Sequence, residues 1–269
     1  MKISIVTVTY KNNHELISTL NSIFQTLDPK LLNDIEIIII DGAADPKTLS
    51  LVKDIKKDMK NIILISEKDK GIYDGMNKGI EHASGEHTIF MNSGDLFKSD
   101  TLNSFMSVKR DINSLYYGNV DFYTDNDFSF HFKANMRTKK QFLRHNCFSH
   151  QAIFYPSMLI KELMGYDLSY SISADFDLTW RCYIKGVPFI HLNTTLANCS
   201  LGGVSCKNGL ISYKDRYRCF KNSKHHLYAT ILLLYYPGFF AKNRIVMLLE
   251  GHSLLKFYRK FKRKLLCQK

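Results

Sequence analysis

The run Ile35 to Ile40, closed by Asp41 and Gly42, constrains the fold of this chain more than any other stretch. An almost unbroken series of β-branched side chains suits a strand covered on both faces, as in a parallel sheet flanked by helices. Three further runs follow the same plan. Ile3 to Val8 ends in a polar turn from Tyr10 to Asn13, Ile62 to Ile65 runs into an acidic, glycine-bearing segment, and Thr88 to Met91 ends in Asn92, Ser93, Gly94 and Asp95. Between them lie helical spacings at Leu16, Leu20, Ile23, Phe24 and Leu27, at Leu49, Val52, Ile55 and Met59, and over Tyr73 to Ala83. Strand and helix in alternation predict an α/β fold, a mainly parallel Rossmann-like sheet with helices on both faces. Ligands of such sheets bind in the crevice outside the carboxyl ends of the strands, where these aspartates fall.

After Asp95 the alternation weakens. Leu115 to Tyr123, Phe128 to Phe132 and Phe148 to Tyr155 read as strands of an antiparallel excursion, and Val187 to Leu192 as a returning strand. Met158 to Met164 and Ala174 to Lys185 read as helices. From Leu210 the pattern is amphipathic and helical, with tyrosines and phenylalanines set among basic residues.

The charge divides the chain in the same place. Of 37 Lys and Arg and 25 Asp and Glu, 15 basic and 2 acidic residues fall after position 206, so that region carries about +13 (15 − 2) and the first 206 residues about −1 (22 − 23). The expected organisation is a catalytic body over 1–206 and basic amphipathic helices over 207–269. A basic amphipathic region suits an anionic membrane surface, each cation adding about 1 kcal/mol. Nucleic acid fits the charge alone, since no RNP, zinc-finger or helix-turn-helix pattern accompanies it, and none is expected as a partner. The longest apolar candidate, Ile231 to Phe240, contains Pro237 and Gly238 and is too short to span a bilayer. Six cysteines without metal-ligand spacing, and no signal-peptide pattern, lead to an expectation of free thiols in a cytoplasmic protein, peripheral at the inner face of the plasma membrane. No GxGxxG follows the first strand, which argues against a dinucleotide-dependent oxidoreductase.

SIVTVTY at the N-terminus, SEKDKGIYDGMNKGI from Ser66 and SADFDL from Ser173 together resemble glycosyltransferase family 2, the inverting enzymes of the GT-A fold, and look most like bacterial members that extend surface polysaccharides such as O-antigen. The resemblance covers roughly the first two hundred residues. It implies transfer of a hexosyl group from a nucleotide sugar, UDP-linked by expectation, to a saccharide on a polyprenyl diphosphate, with Mg²⁺ or Mn²⁺ as cofactor.

The resemblance also assigns residues, and each has a plainer alternative. Asp41, with Thr9 and Tyr10 at the neighbouring strand end, is placed to hold a uracil-type base; an aspartate before glycine is equally a turn or helix-cap residue. Asp69 and Lys70, with Asn77 on the following helix, face the nucleotide by the same token, or Asp69 caps the helix. Ser93 and Gly94 fall in the donor site and Asp95 in the metal motif. Asn92 occupies a place where a second carboxylate often sits, so a single aspartate plus the diphosphate would have to hold the ion. Asp175 matches the catalytic base, which takes the acceptor hydroxyl proton; two acids in a first helical turn also simply complement the helix dipole. His150 and Gln151 are candidates for the acceptor site, and Gly202 to Ser205 for a flap over the diphosphate. The rival reading is a non-catalytic basic protein, binding nucleic acid or membrane on a degenerate nucleotide fold.

Overall fold

The computed structural model describes residues 2–26, 28–56, 61–107, 110–124, 127–136, 138–143, 147–200, 209–234 and 238. The chain forms two compact units, residues 1–216 and 217–269. The expected boundary at 206/207 and the Gly202 to Ser205 segment lie outside the described residues, as does nearly all of the chain beyond 234.

Four parallel strands make the first half of the sheet: β1 (Ile3–Thr9), β2 (Ile35–Asp41), β3 (Ile62–Ser66) and β4 (His87–Phe90). Every residue of β1, β2 and β4 is buried, which is what the unbroken apolar runs require of a sheet covered on both faces. The connecting helices are α1 (Asn13–Thr26), α2 (Pro46–Ile55) and α3 (Ile72–His82). Leu16, Leu20 and Ile23 bury the inner stripe of α1. Asp45 caps α2 by accepting from the Lys47 N–H at 3.0 Å, with Pro46 in the first turn where its missing donor is not needed. Gly75 and Gly79, one turn apart on α3, let that helix lie directly on β1, since a methyl on Gly79 would stand 2.3 Å from Val6 Cγ1.

The second half is mixed. β5 (Leu96–Phe97), β6 (Leu115–Thr124), β7 (Asp127–Phe132), β8 (Ile153–Pro156) and β9 (Phe189–Ser200) complete a nine-stranded sheet in the order β3-β2-β1-β4-β8-β6-β9-β5, with β7 paired to β6. β8 runs antiparallel to both β4 and β6, and β9 runs parallel to β6. Short helices α4 (Thr101–Ser107), α5 (Lys139–Phe142) and α6 (Ser157–Glu162) lie between these strands. Helix α7 (Ala174–Ile184) precedes β9, and α8 (Gly209–Asn222) follows it.

Two expectations need adjusting. Residues 150–152 form a 3-10 turn, so the strand expected from Phe148 begins only at Ile153. The returning strand continues eight residues past Leu192 to Ser200, because the polar stretch after it stays paired with β6 through register shifts around Asn119.

The strand order places the switch point of the fold. β2 and β3 step away from β1 on one side and β4 returns on the other, so the crevice opens at the carboxyl ends of β1 and β4.

Candidate active site

Position 95 lies just past that crevice edge. After β4 the chain turns sharply, with the Ser93 N–H donating to Val8 O at 3.1 Å and the Asp95 N–H to Asn92 O at 2.9 Å. Gly94 sits at φ +98°, and a side chain there would meet Glu15 Oε2 at 2.8 Å, so only glycine suits the turn. This turn delivers Asp95 into a nearly closed environment at 9% exposure. Burial pushes its carboxyl above the ordinary aspartate range; hydrogen bonds from Gln151, the Cys199 thiol and the Ser200 backbone, and the nearby His150, pull it partly back. Gln151 Nε2 donates to Asp95 Oδ2 at 2.9 Å.

His150, the preceding residue, faces the other acid. Its Nδ1 lies 3.5 Å from Asp175 Oδ2, and its Nε2 lies 3.2 Å from Asn92 Nδ2. Asp175 stands in the first turn of α7, where unpaired backbone N–H groups favour a negative charge. The Phe176 N–H fixes Asp175 Oδ1 at 2.8 Å, and about a quarter of the side chain (26%) is open to solvent. The 3-10 turn that carries His150 and Gln151 therefore brings Asp95 and Asp175, eighty positions apart in sequence, to one place.

Helix α7 is held from behind. Asp215 on α8, itself buried, accepts from the Ile172 and Ser173 N–H groups at 3.0 and 3.3 Å, just before the helix starts. The Tyr73 hydroxyl, on α3, donates to Ile172 O and lies 3.5 Å from Asp175 Oδ1, while its ring stacks on Tyr166. Burial, and then the charge of Asp175, raise the Tyr73 proton affinity, so it stays a neutral donor. Asp177 turns inward and binds Arg181 Nε at 2.7 Å, and Arg181 also donates to the Leu163 and Gly165 carbonyls.

The residues expected on the nucleotide side separate into two groups. Asp41 is fully buried: one oxygen accepts from the Ala43 N–H at 3.1 Å, the other from the Asp45 N–H at 2.7 Å and the Ser66 hydroxyl at 2.8 Å. These bonds build the turn that follows β2. Asn77 pins a loop, donating to Tyr166 O and accepting from Tyr166 N at 2.8 and 2.7 Å. Ser93 and Gly94 give their N–H groups to Val8 O and Thr19 Oγ1, and the Ser93 hydroxyl goes to Asn12 O; both serve the turn before Asp95.

The second group remains available. Tyr10 is 63% exposed, Lys70 is exposed and Asp69 is partly exposed, lying so close over Gly42 that a methyl there would overlap its Oδ2. Thr9 is buried with its hydroxyl unpartnered. A cavity of about 600 Å³ opens between the turns after β1 and β2, lined by Lys11, Asn13, Ala44, Asp45 and Lys47 among others. Tyr73, Cys199 and Asp215 escape sequence reasoning: Tyr73 carries a weak signal, one turn after Asp69, and the other two carry none.

A divalent ion prefers carboxylate oxygen. Among the described residues no cluster of three His, Cys, Asp or Glu side chains forms a complete metal site. Asp95, buried without a cationic side chain hydrogen-bonded to it, fits the role of a single protein ligand to an ion whose other ligands come with the substrate.

The model of "Glycosyl transferase family 2" matches residues 4–163. A PGL/p-HBAD biosynthesis glycosyltransferase of Mycobacterium tuberculosis is 29% identical over 154 residues, spanning 56% of this chain and 59% of that protein. The chain thus spans a little over half the length of these curated relatives. The poly(ribitol-phosphate) β-glucosyltransferase of Bacillus spizizenii is 34% identical over 105 residues, 38% of this chain and 16% of that protein. Among solved structures, S. aureus TarS 1-349 in complex with UDP-GlcNAc superposes with a TM-score of 0.64 at 15% identity, covering 82% of this chain and 64% of that one. The mannosyltransferase PcManGT of Pyrobaculum calidifontis, in complex with GDP-Man and Mn²⁺, gives 0.60 at 16% identity, covering 83% and 64%. These superpositions show the GT-A fold, and with more than half its length matched by the family model the chain belongs to glycosyltransferase family 2.

Proposed function

We propose that this chain is an inverting glycosyltransferase that moves a sugar from a UDP-linked donor to a lipid-linked saccharide in bacterial surface-polysaccharide synthesis. The observation that carries the reading is the pairing of Asp95 and Asp175 through adjacent residues of one turn, Gln151 and His150. A leaving diphosphate and an attacking hydroxyl must sit on opposite sides of one sugar carbon, and two acids brought together by one turn are arranged for that.

In this reading Asp175 accepts the acceptor's hydroxyl proton as that oxygen attacks the anomeric carbon. Its Oδ1 is held by the Phe176 N–H at 2.8 Å, while Oδ2, 3.5 Å from His150 Nδ1, keeps a lone pair for the incoming proton. Thr9, Tyr10, Asp69 and Lys70 form the donor side, with the exposed Tyr10 offering a ring for the base and the exposed Lys70 a charge for phosphate. Asp95 would hold Mg²⁺ or Mn²⁺, which supplies charge stabilisation for the departing diphosphate when bound. UDP-GlcNAc and GDP-Man with Mn²⁺ in the complexes of the two structural relatives support a nucleotide-sugar donor and a divalent ion. The poly(ribitol-phosphate) β-glucosyltransferase supports a polymeric acceptor.

The C-terminal charge of about +13 (15 − 2), with Leu227, Leu233 and Leu234 exposed on the helical residues 226–234, supports peripheral attachment to an anionic inner leaflet, where a polyprenyl-linked acceptor resides. Among the described residues no helix is long and apolar enough to cross a membrane.

The test is a panel of UDP-sugars with Mn²⁺, read as UDP release with and without a polyprenyl-linked saccharide. Transfer should occur with one donor and fall about 100-fold or more in Asp175→Asn, the usual scale for losing a general base, with UDP affinity retained. Full transfer by Asp175→Asn would remove the base assignment. Failure of UDP with Mn²⁺ to raise the melting temperature would remove the donor assignment.

A further inference from the structure

The polar side chain that touches His150 from the β4 turn is an amide, and its chemistry dictates which nitrogen of the imidazole carries a proton. Asn92 Nδ2 is a donor only, so His150 Nε2, 3.2 Å away, must present its lone pair. A neutral imidazole has one N–H, which then lies on Nδ1, the atom facing Asp175 Oδ2 at 3.5 Å. We propose that Asn92, His150 and Asp175 form one hydrogen-bonded unit, in which Asn92 sets the tautomer of His150 and His150 is the positioning residue for the carboxylate of Asp175.

Three features support the assignment. The two contacts use opposite ring nitrogens, so the imidazole cannot turn over without breaking both. Both oxygens of Asp175 are then addressed, Oδ1 by the Phe176 N–H and Oδ2 by His150, which fixes the carboxylate plane. The 3.5 Å separation keeps Nδ1 facing Oδ2 within ion-pair range. Asn92 Oδ1 is buried with no partner, so an amide turned the other way would place an acceptor on Nε2. That orientation would put a proton on Nε2, and Nδ1 could then donate to Asp175 only with a second proton on the ring. The other titratable groups acting here are Asp95, whose carboxylate senses His150, and Tyr73, beside Asp175 Oδ1.

The role of Asp175 as base rests on the proposed function; the hydrogen-bonded unit does not, and the two are measured separately. The first measurement is nitrogen NMR of the full chain labelled in histidine, without substrate. The expected spectrum shows the proton on Nδ1 and a lone pair on Nε2 of His150, and Asn92→Ala releases that preference. A proton on Nε2 in the wild-type protein, or an imidazolium there, overturns the proposal whether or not the chain transfers sugar.

The second measurement is steady-state transfer. An Asn at 150 reproduces a donor near Nδ1, a Gln reproduces one near Nε2, and Ala reproduces neither. His150→Ala and His150→Gln should lower kcat about 10- to 100-fold with KM for the donor within about 2-fold, while His150→Asn stays within about 5-fold of wild type. Equal loss in all three, or a loss confined to KM or to the melting temperature, assigns His150 a merely structural part and sinks the positioning role.

Discussion

Gln151 and Asp95, 56 positions apart, are joined by a 2.9 Å hydrogen bond that leaves Asp95 buried beside donors but with no cationic side chain hydrogen-bonded to it. A carboxylate in that state costs the folded protein free energy once ionised. Its folded proton affinity lies above the unfolded value, so the native state binds more protons than the unfolded chain over the interval between the two. The contribution is fully favourable below the unfolded value of 3.8 and is lost as pH rises through the raised folded value. Asp95→Asn removes this penalty. The variant should melt at a higher temperature than wild type at pH 7 to 8 in chelator, the advantage shrinking as pH falls toward 4, and it should lose the stabilisation that UDP with Mn²⁺ gives. Calorimetry across pH reads both effects, and equal melting temperatures at pH 8 would contradict the burial argument.

Gly42 and Asp69 test the donor side. A Cβ on Gly42 would lie 1.7 Å from Asp69 Oδ2, so Gly42→Ala must displace that carboxylate and break its 3.1 Å bond from the Gly71 N–H. With Asp69 in the nucleotide site, Gly42→Ala and Asp69→Asn should each weaken UDP binding about 10-fold, or about 1.4 kcal/mol. Titration calorimetry measures it. Wild-type UDP affinity in both variants would remove Asp69 from the donor site.

The parallel half of this fold was readable from residue order because buried strands announce themselves by continuous apolar runs, and Ile35 to Asp41 is both the clearest run and a strand with every residue buried. What failed was anything set by distant partners. Asp41 before Gly42 reads as a ligand or a turn residue, and residue order does not reveal that Ser66 arrives from β3 to bond its second oxygen. The two-residue strand β5 and the extension of β9 past Leu192 leave no periodic trace, and Asn193 at φ +55° interrupts what alternation there is. The candidate site was legible as a set of acids, and Asp95 and Asp175 do come together; their coupling through Gln151 and His150 depends on a 3-10 turn that no spacing predicted. Asp215 was invisible because its partners, the Ile172 and Ser173 amides, are backbone groups.

Helix α3 carries the segment from Asp69 to Asn77 and rests on β1 through glycine. At Gly79 a methyl would meet Val6 Cγ1 at 2.3 Å, and Val6 is fully buried in the sheet with no room to yield. Gly79→Ala should destabilise the chain by about 1–3 kcal/mol, the usual cost of overpacking, despite the better helix propensity of alanine. The urea midpoint measures it, and an unchanged or raised midpoint would show that α3 lifts off β1 without cost.

At the opposite end of the sheet, Glu36 is the one acid inside the Ile35 to Ile40 run, and it is almost wholly buried. Burial alone would raise its proton affinity, but bonds from Lys2, Ser4 and Ser84 outweigh that and hold its pKa at about 2 against an ordinary 4.5. The ion pair with Lys2 is 2.8 Å long, and the Gly85 N–H adds a further bond at 3.0 Å. Because the folded value is the lower one, the ionised carboxylate stabilises the native state above pH 4.5, and that stability drains away as pH falls through 2. Glu36→Gln keeps the shape and removes the charge, so it should cost roughly 2–3 kcal/mol at pH 7, converted from the shift, and nearly nothing at pH 2. Urea unfolding at pH 7, 4.5 and 2.5 should therefore show the two proteins converging as acid is added. A gap that stays constant across that range would mean that Glu36 acts through packing and not through its charge.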